Sequence, residues 1–466
     1  MRNRILILIF LVSAGLSGFA QSSNLSPYSR FGLGDIYQPG SVPIYGFGGV
    51  RSTLNDPFTV NISNPATLGS LFNTTFQAGI RYQSLRITEG EESQNLGDGN
   101  LDQFFLGLKR AGSNLGFAFG FTPFSTSGYN LTTENEDEEV GTFTSSYKGV
   151  GGYNKVVLGV GRKFDFKEIK RFENSAGVVY DSVRVTVQTL SIGANTNYYF
   201  GSIEQTSRID IEDPSFLDTR RIATTRLSDF GFDLGVHYEL NFGMKYGKDR
   251  RLVSRNVLQL AAVFTPDANL NANQEYVFEN TVTSSGVVFP LDTAVYYDAS
   301  GDLFLPGDLR FGISLQRYNK NGRHFMLSTD YSTRDWTQFS TTFEEDFIQG
   351  TLLASSEISV GFQFTPKQVS DGETFFSRAN YRAGMRSAQT YLEVNGVQLK
   401  DEAITFGASF PILNSRSTSK IHLGMEFGTR GVNEGDLIKE EYMNIHFGFS
   451  LSPYIKNKWF VERKYQ

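Results

Sequence analysis

The chain has 466 residues, with 43 Lys and Arg against 49 Asp and Glu and a formal net charge of −6. It contains no cysteine, which excludes a disulfide framework, a thiolate metal site and a lipid-modified N-terminal cysteine. The mildly acidic balance offers no footprint for nucleic acid.

Residues Met1–Ala20 read as a secretory signal peptide. Arg2 and Arg4 form its basic start, Ile5–Leu16 its apolar core, and Gly18-Phe19-Ala20 the small residues at the cleavage site, so the mature chain is expected to begin at Gln21. The apolar run is too short to span a membrane comfortably, and no later run of 18 apolar residues appears, so transmembrane helices are not expected.

Next comes a Gly-rich run, Phe31–Val50, and then RSTLNDPFTVNISNPATLGSL, Arg51–Leu71. Pro57 and Pro65 break any strand ladder, and Asn-Asp-Pro and Ser-Asn-Pro start turns. A solvated linker would leave Leu54, Phe58, Val60, Ile62, Leu68, Leu71 and Phe72 in water. A half-apolar segment ahead of a body of strands is expected to fill a lumen as a plug.

From there on, apolar residues recur at every second position. Leu115, Phe117, Phe119 and Phe121 alternate with Gly116, Ala118 and Gly120; Phe232, Leu234, Val236, Tyr238 and Leu240 alternate with Asp233, Gly235, His237, Glu239 and Asn241. The same period ends the chain in Met443, Ile445, Phe447, Phe449 and Leu451. A period of two means strands with one apolar and one polar face. Many runs reach ten residues, longer than soluble strands, and the polar face is rich in Gly, Ser, Asn and Gln. That is the pattern of an outer-membrane barrel, apolar towards lipid and polar within. The expected fold is all-β and antiparallel, with 14 to 17 strand-like runs, an even number of them crossing, and both termini periplasmic. The expected division is a signal peptide at 1–20, an N-terminal segment and hatch at 21–72, and a barrel with loops and a short tail at 73–466.

Thr88–Asp102 and Thr133–Val140 read as outward loops, and the acidic run Glu134–Glu139 as a solvated charge run rather than a calcium loop. Leu252–Pro266 and Gln274–Val282 are membrane strands or part of a long hairpin. Phe166–Gln188 is a strand-prone insert, either a partner-binding element or an ordinary protruding hairpin. Tyr198, Tyr199, Tyr238, Tyr318, Trp336 and Trp459 are placed at strand ends as an aromatic girdle. The tail Ile455–Gln466, with Lys456, Lys458, Arg463 and Lys464, is expected at the periplasmic rim.

His237, His324, His422 and His446 lie in separate strands, and none has a second histidine three or four residues away, so satisfied lumen residues are expected rather than metal ligands. No GxSxG, Walker or HExxH motif is present. No enzyme activity, cofactor or metal is therefore expected.

Asn55-Asp56-Pro57, followed by Asn61-Ile62-Ser63-Asn64-Pro65-Ala66-Thr67-Leu68, resembles the N-terminal hatch of the FadL/TodX family of outer-membrane hydrocarbon transporters. Gly149–Asn154, Leu190–Ile203, Ser26–Asp35 and Trp459–Lys464 are also similar to outer-membrane proteins of that kind from Bacteroidota. The resemblance implies a barrel of about 14 strands with Asn61, Asn64, Pro65 and Ala66 in a lumenal hatch. It further implies a lateral exit at an inward kink of an early strand, for which Gly116, Gly120 and Pro123 in Leu115–Phe124 are the candidates. Those glycines equally suit a strand that makes room for the hatch. The implied function is passive uptake of a hydrophobic small molecule, with outer-membrane lipid around the barrel. The alternative is a non-transporting barrel subunit of an envelope machine, a type IX secretion or barrel-assembly complex, acting through contacts with other envelope proteins.

Overall fold

The computed structural model describes residues 26–452 apart from 39, 111, 174–178, 214, 248–251, 285–286, 320–321, 344–350, 368–374, 413–417 and 434–436. The expected signal peptide and the basic tail with Trp459 lie outside the described residues.

Fourteen strands close an antiparallel barrel. The first seven are β1 (Thr75–Glu89), β2 (Glu92–Lys109), β3 (Leu115–Asp137), β4 (Gly141–Glu173), β5 (Val179–Ile211), β6 (Asp218–Tyr246) and β7 (Leu252–Thr265). The ring continues with β8 (Asp308–Tyr318), β9 (His324–Asp335), β10 (Ala354–Thr365) and β11 (Asn380–Val394). It ends with β12 (Val397–Pro411), β13 (Lys420–Arg430) and β14 (Lys439–Leu451). Closure is made by β14 against β1, from Leu451 opposite Phe76 to Lys439 opposite Thr88. Closing the ring pairs the backbone groups that lipid could not satisfy.

The alternation sorts side chains as lipid requires. Phe117, Phe119, Leu158, Phe232, Leu234, Phe311, Ile313, Ile404 and Phe406 are exposed outwards, while Gln77, Ser191, Asn197, Gln259, Ser314 and Thr405 are buried inwards. Tyr199 and Trp336 are buried too, and Tyr318 stacks on the buried His324. These three line the interior instead of the aromatic girdle: Tyr199 and Tyr318 fall on the inward parity of their strands, and Trp336 opens the 3-10 turn that follows β9.

The chain enters β1 and leaves β14 at one end of the barrel, called here the terminal end; the opposite end is the far end. β4 and β5 have 33 residues each, about 110 Å at the usual rise, against a hydrocarbon layer of about 30 Å. They therefore project at both ends. Leu115 at the start of β3 pairs with Arg162, so the hairpin of Phe166–Phe172 against Asp181–Gln188 extends beyond the terminal end. That is where the Phe166–Gln188 insert lies. At the far end a second hairpin, Ala268–Ser284 with Val287–Leu305, leaves the ring between β7 and β8, which pair directly, Thr265 opposite Asp308. It adds to the far half of β6, Asp218 opposite Thr281 to Leu227 opposite Ala272. Gln274–Val282 thus belongs to this projection and Leu252–Thr265 to the barrel. Thr88–Asp102 forms the far half of the β1–β2 hairpin, continuous strand turning at Gly90 (φ 57°), rather than a loop.

One seam of the ring is incomplete. β2 pairs with β3 only from Phe104 opposite Phe121 to Lys109 opposite Gly116. Beyond it β3 carries a register shift between Pro123 and Ser125, and its freed edge takes the N-terminal segment instead. Asp35 pairs with Thr126 and Ile36 with Ser125, and Tyr37 N donates to Phe124 O at 2.8 Å.

With no native cysteine, single cysteines report the two projections cleanly. Tyr296→Cys, on the far hairpin where Tyr296 is 61% exposed, should react with a membrane-impermeant maleimide on intact cells. Arg184→Cys on the terminal hairpin should react only after the outer membrane is permeabilised. Labelling of both on intact cells would contradict an end-to-end separation across the membrane.

Candidate functional site

The lumen is filled by residues 41–71, held by a set of local turns and by the wall. A 3-10 helix, Pro65–Ser70, starts at Asn64, whose Oδ1 accepts from Ala66 N at 3.1 Å. Asn64 Nδ2 donates to Ser52 O at 2.8 Å. Asn61 does the same one turn earlier: its Nδ2 donates to Arg51 O (2.7 Å) and Leu54 O (3.0 Å), and its Oδ1 accepts from Ser63 N. Asn-Pro-Ala is thus a helix start with its cap and its proline in the positions that suit them. Asn61, Asn64, Pro65 and Ala66 are all buried.

The wall supplies the remaining partners. Asn195 Nδ2 donates to Ile62 O at 2.8 Å, and Lys109 Nζ to Gly69 O at 2.6 Å. Val60 N donates to Gln77, Gly48 N to Thr405, and Arg51 N and Ser52 N both to one oxygen of Asp330. Lys420 on β13 pairs with Asp56 at 3.0 Å. Burial works to raise the Asp56 pKa, but Lys420 and the Phe58 N–H outweigh it and hold the carboxyl at about 2.

Gly116 faces the carbonyl of Leu68 and Gly193 the backbone of Pro65, each so closely that a Cβ would fall inside van der Waals contact. Gly120 faces Phe105 and Ile62, in a cluster completed by Val60, Leu68, Leu71, Ala118 and Val157. Gly116 and Gly120 lie where β3 still pairs with β2; Pro123 lies two residues past the last pair, at the register shift. The three candidates for the wall kink therefore sit in two different places, the glycines beneath the hatch and the proline at the parting of the seam.

The N-terminal segment is fastened across the barrel. Arg430 pairs with Asp35 (2.7 Å) and Glu440, Ser26 bonds to Glu440, and Tyr391 OH donates to Gly34 O at 2.5 Å. Between this segment and the hatch lies a cavity of about 310 Å³. Seven Lys or Arg and seven Asp or Glu line it. Arg386 pairs with Asp401 (3.1 Å) and Glu426 (2.7 Å) and donates to Tyr442 OH, and Arg51 meets Glu357 at 3.7 Å. Sequence reading missed this network. The inward parity of Arg386, Asp401, Glu426 and Arg430 is visible in the alternation, but which of them come side by side on neighbouring strands depends on register and is not.

The histidines lie apart. His422 bonds Ser409 (2.7 Å) and Ser450 (3.0 Å), and His446 bonds Asp102 while stacking on Tyr45 at 4.1 Å. Among the described residues no group of three or more His, Cys, Asp or Glu could hold a metal ion.

A closed 14-stranded barrel with a non-strand segment bonded into its lumen defines a hatch-plugged barrel of the FadL/TodX fold. Solved structures share that fold. A Pseudomonas aeruginosa FadL homologue aligns with a TM-score of 0.51 at 11% identity over 90% of this chain and 100% of its own. The P. putida toluene transporter TodX aligns with a TM-score of 0.51 at 14% identity over 90% and 99%. The Ralstonia pickettii toluene transporter TbuX gives 0.50 at 11% identity over 89% and 99%. No curated protein matches the chain. The BamG family model matches residues 1–173 and 168–466, and the chain belongs to the BamG family.

Two outcomes follow from the seating of the hatch. Gly193→Val or Gly116→Val should destabilise the folded barrel by about 1–3 kcal/mol through overpacking, read as a lower temperature for loss of heat-modifiable migration on gels. Gly90→Ala, at a turn where nothing lies within 4 Å but φ is 57°, should cost only its left-handed backbone strain, about 1 kcal/mol. Because the Asp56 pKa is depressed, its contribution is full above about pH 4 and lost as the pH falls through about 2. Asp56→Asn should remove about 2 kcal/mol at neutral pH and abolish that part of the acid sensitivity in an unfolding titration.

Proposed function

We propose that this barrel works as a non-transporting subunit of an envelope machine, engaging other envelope proteins through its two projecting hairpins. The observation that carries the reading is the lumen. Its cavity is lined by seven cations and seven carboxylates, and most of them are paired. An apolar solute would have to displace charged groups and their water without replacing either interaction. Of the two machines that the resemblance suggests, membership of the BamG family favours a barrel-assembly complex.

The far hairpin supports the same reading. Val287–Leu305 has a strand partner along one edge, and on the other, among the described residues, Leu303 and Phe304 pair with Thr341 and Ser340 and Asp302 bonds Thr342. Val287, Phe289, Leu291, Val295 and Tyr296 are exposed along it. A long apolar edge is normally covered in a working protein.

Passive uptake of a hydrophobic small molecule is the second reading, and the parted seam between β2 and β3 favours it. The two are separated by replacing 267–306 with a tight turn, which the direct pairing of β7 with β8 permits. Under the subunit reading the variant stays a heat-modifiable barrel but no longer co-purifies in fixed ratio with its envelope partners. Accumulation of labelled long-chain fatty acid should be equal with and without the gene. Gene-dependent accumulation, with no stoichiometric partner for the full chain, would replace the subunit by the transporter.

A further inference from the structure

The charges around the cavity are unevenly matched. On the side of β10–β14, Arg386 and Arg430 each hold two carboxylates within 3.1 Å. The side of β4, β8 and β9 carries Lys155, Arg310 and Arg334, with Asp233 and Asp308 as the nearby carboxylates. Both of those are engaged. Asp308 accepts from Arg310 at 2.8 Å. Asp233 accepts from Asn195 (3.1 Å), Asn197 (2.9 Å) and Thr265 (2.7 Å). Among the described residues neither Lys155 nor Arg334 has a carboxylate within 4.0 Å. Lys155 is only 7% exposed, and what it exposes lies on the cavity. Arg334 lies over the ring of Trp336 at 5.3 Å, which fixes its guanidinium from one face.

We propose that Lys155 and Arg334 form an anion site that takes a phosphate-class head group, an oxyanion small enough for the cavity between hatch and N-terminal segment. An excess cation held in a part-enclosed, low-dielectric space attracts an anion more strongly than the same cation does in bulk water. A guanidinium and an ammonium offer the donors that phosphate oxygens accept. The volume of about 310 Å³ leaves room for a glycerophosphate or a pyrophosphate. Phe124, Tyr199 and Val263 border the same space, so an apolar portion next to the phosphate also finds contact. A free phosphate ester and a lipid head group share this chemistry. The site does not depend on the choice between subunit and transporter, since it rests on the cavity's own charges.

Trp336 is one of two tryptophans in the chain, the other being Trp459, so the full chain carrying Trp459→Phe reports on the site by fluorescence. Pyrophosphate and glycerol 3-phosphate serve as free probes and dihexanoyl phosphatidic acid as the lipid probe, with calorimetry in parallel. At least one should titrate Trp336 saturably. Free probes binding alone identify a soluble ester; phosphatidic acid binding alone identifies a lipid source. Lys155→Met and Arg334→Met should each weaken binding by about tenfold or more, the usual loss when a charged hydrogen bond is removed. Asp308→Asn removes a carboxylate and frees Arg310, so it should tighten binding; this variant reads the proposal even where the methionine variants fail to migrate as folded barrels. Absence of any titration with all three probes at millimolar concentration overturns the site. So does binding that Lys155→Met, Arg334→Met and Asp308→Asn all leave unchanged.

Discussion

A segment without regular secondary structure can be buried in a barrel only if its backbone groups find partners there and the wall stands back to admit it. Both conditions are met by particular residues. Asn195, Lys109, Gln77, Thr405 and Asp330 receive or supply the hydrogen bonds that residues 48–69 cannot make among themselves. Gly116 and Gly193 let the Pro65–Ser70 turn come within backbone contact of β3 and β5. Removing a partner would strand a buried amide or carbonyl, which costs more than an average hydrogen bond contributes. The position of the hatch thus follows from the wall, and the cavity above it follows from the position of the hatch.

The upper closure has a different physical basis. The hatch is fixed by hydrogen bonds to its backbone, from neutral and charged wall side chains, and by a small apolar cluster, Val60, Ile62, Leu68, Leu71, Phe105, Ala118 and Val157. The N-terminal segment is fixed by Arg430 between Asp35 and Glu440, and by borrowing the edge that β3 gives up beyond Phe121. Edge pairing explains how a wall can part at one seam without leaving its amides to lipid. The N-terminal segment is here a replacement strand as much as a plug.

Charge in the lumen is a feature of this barrel that its fold does not dictate. The same architecture at 11–14% identity includes toluene transporters, and fold alone does not decide function. What a lumen admits is decided by what lines it, and here that is a set of opposed guanidinium and carboxylate groups. The projecting sheets, by contrast, expose apolar side chains and, among the described residues, a strand edge paired only near Asp302–Phe304, features by which one protein can recognise another.

Strand periodicity, barrel and plug are legible in the residue order alone. A period of two, as in Leu115–Phe121 and Phe232–Leu240, is a local property that no tertiary contact needs to supply. Asn61 and Asn64-Pro65-Ala66 were legible for the same reason, since each asparagine closes a turn on residues close along the chain. Parity could also have kept Tyr199 out of the girdle, because it falls in step with the polar, inward positions of its strand, whereas Trp336 opens a 3-10 turn. The remaining features depend on register between strands. Which end Phe166–Gln188 projects from depends on where Leu115 pairs along β4, and a register cannot be read from either strand alone. The split between Gly116 beneath the hatch and Pro123 at the seam depends on where β2 stops pairing. Strand register brings residues of consecutive strands side by side on the lumenal face. That is why Arg386 meets Asp401 and Glu426, while Lys155 meets no carboxylate among the described residues.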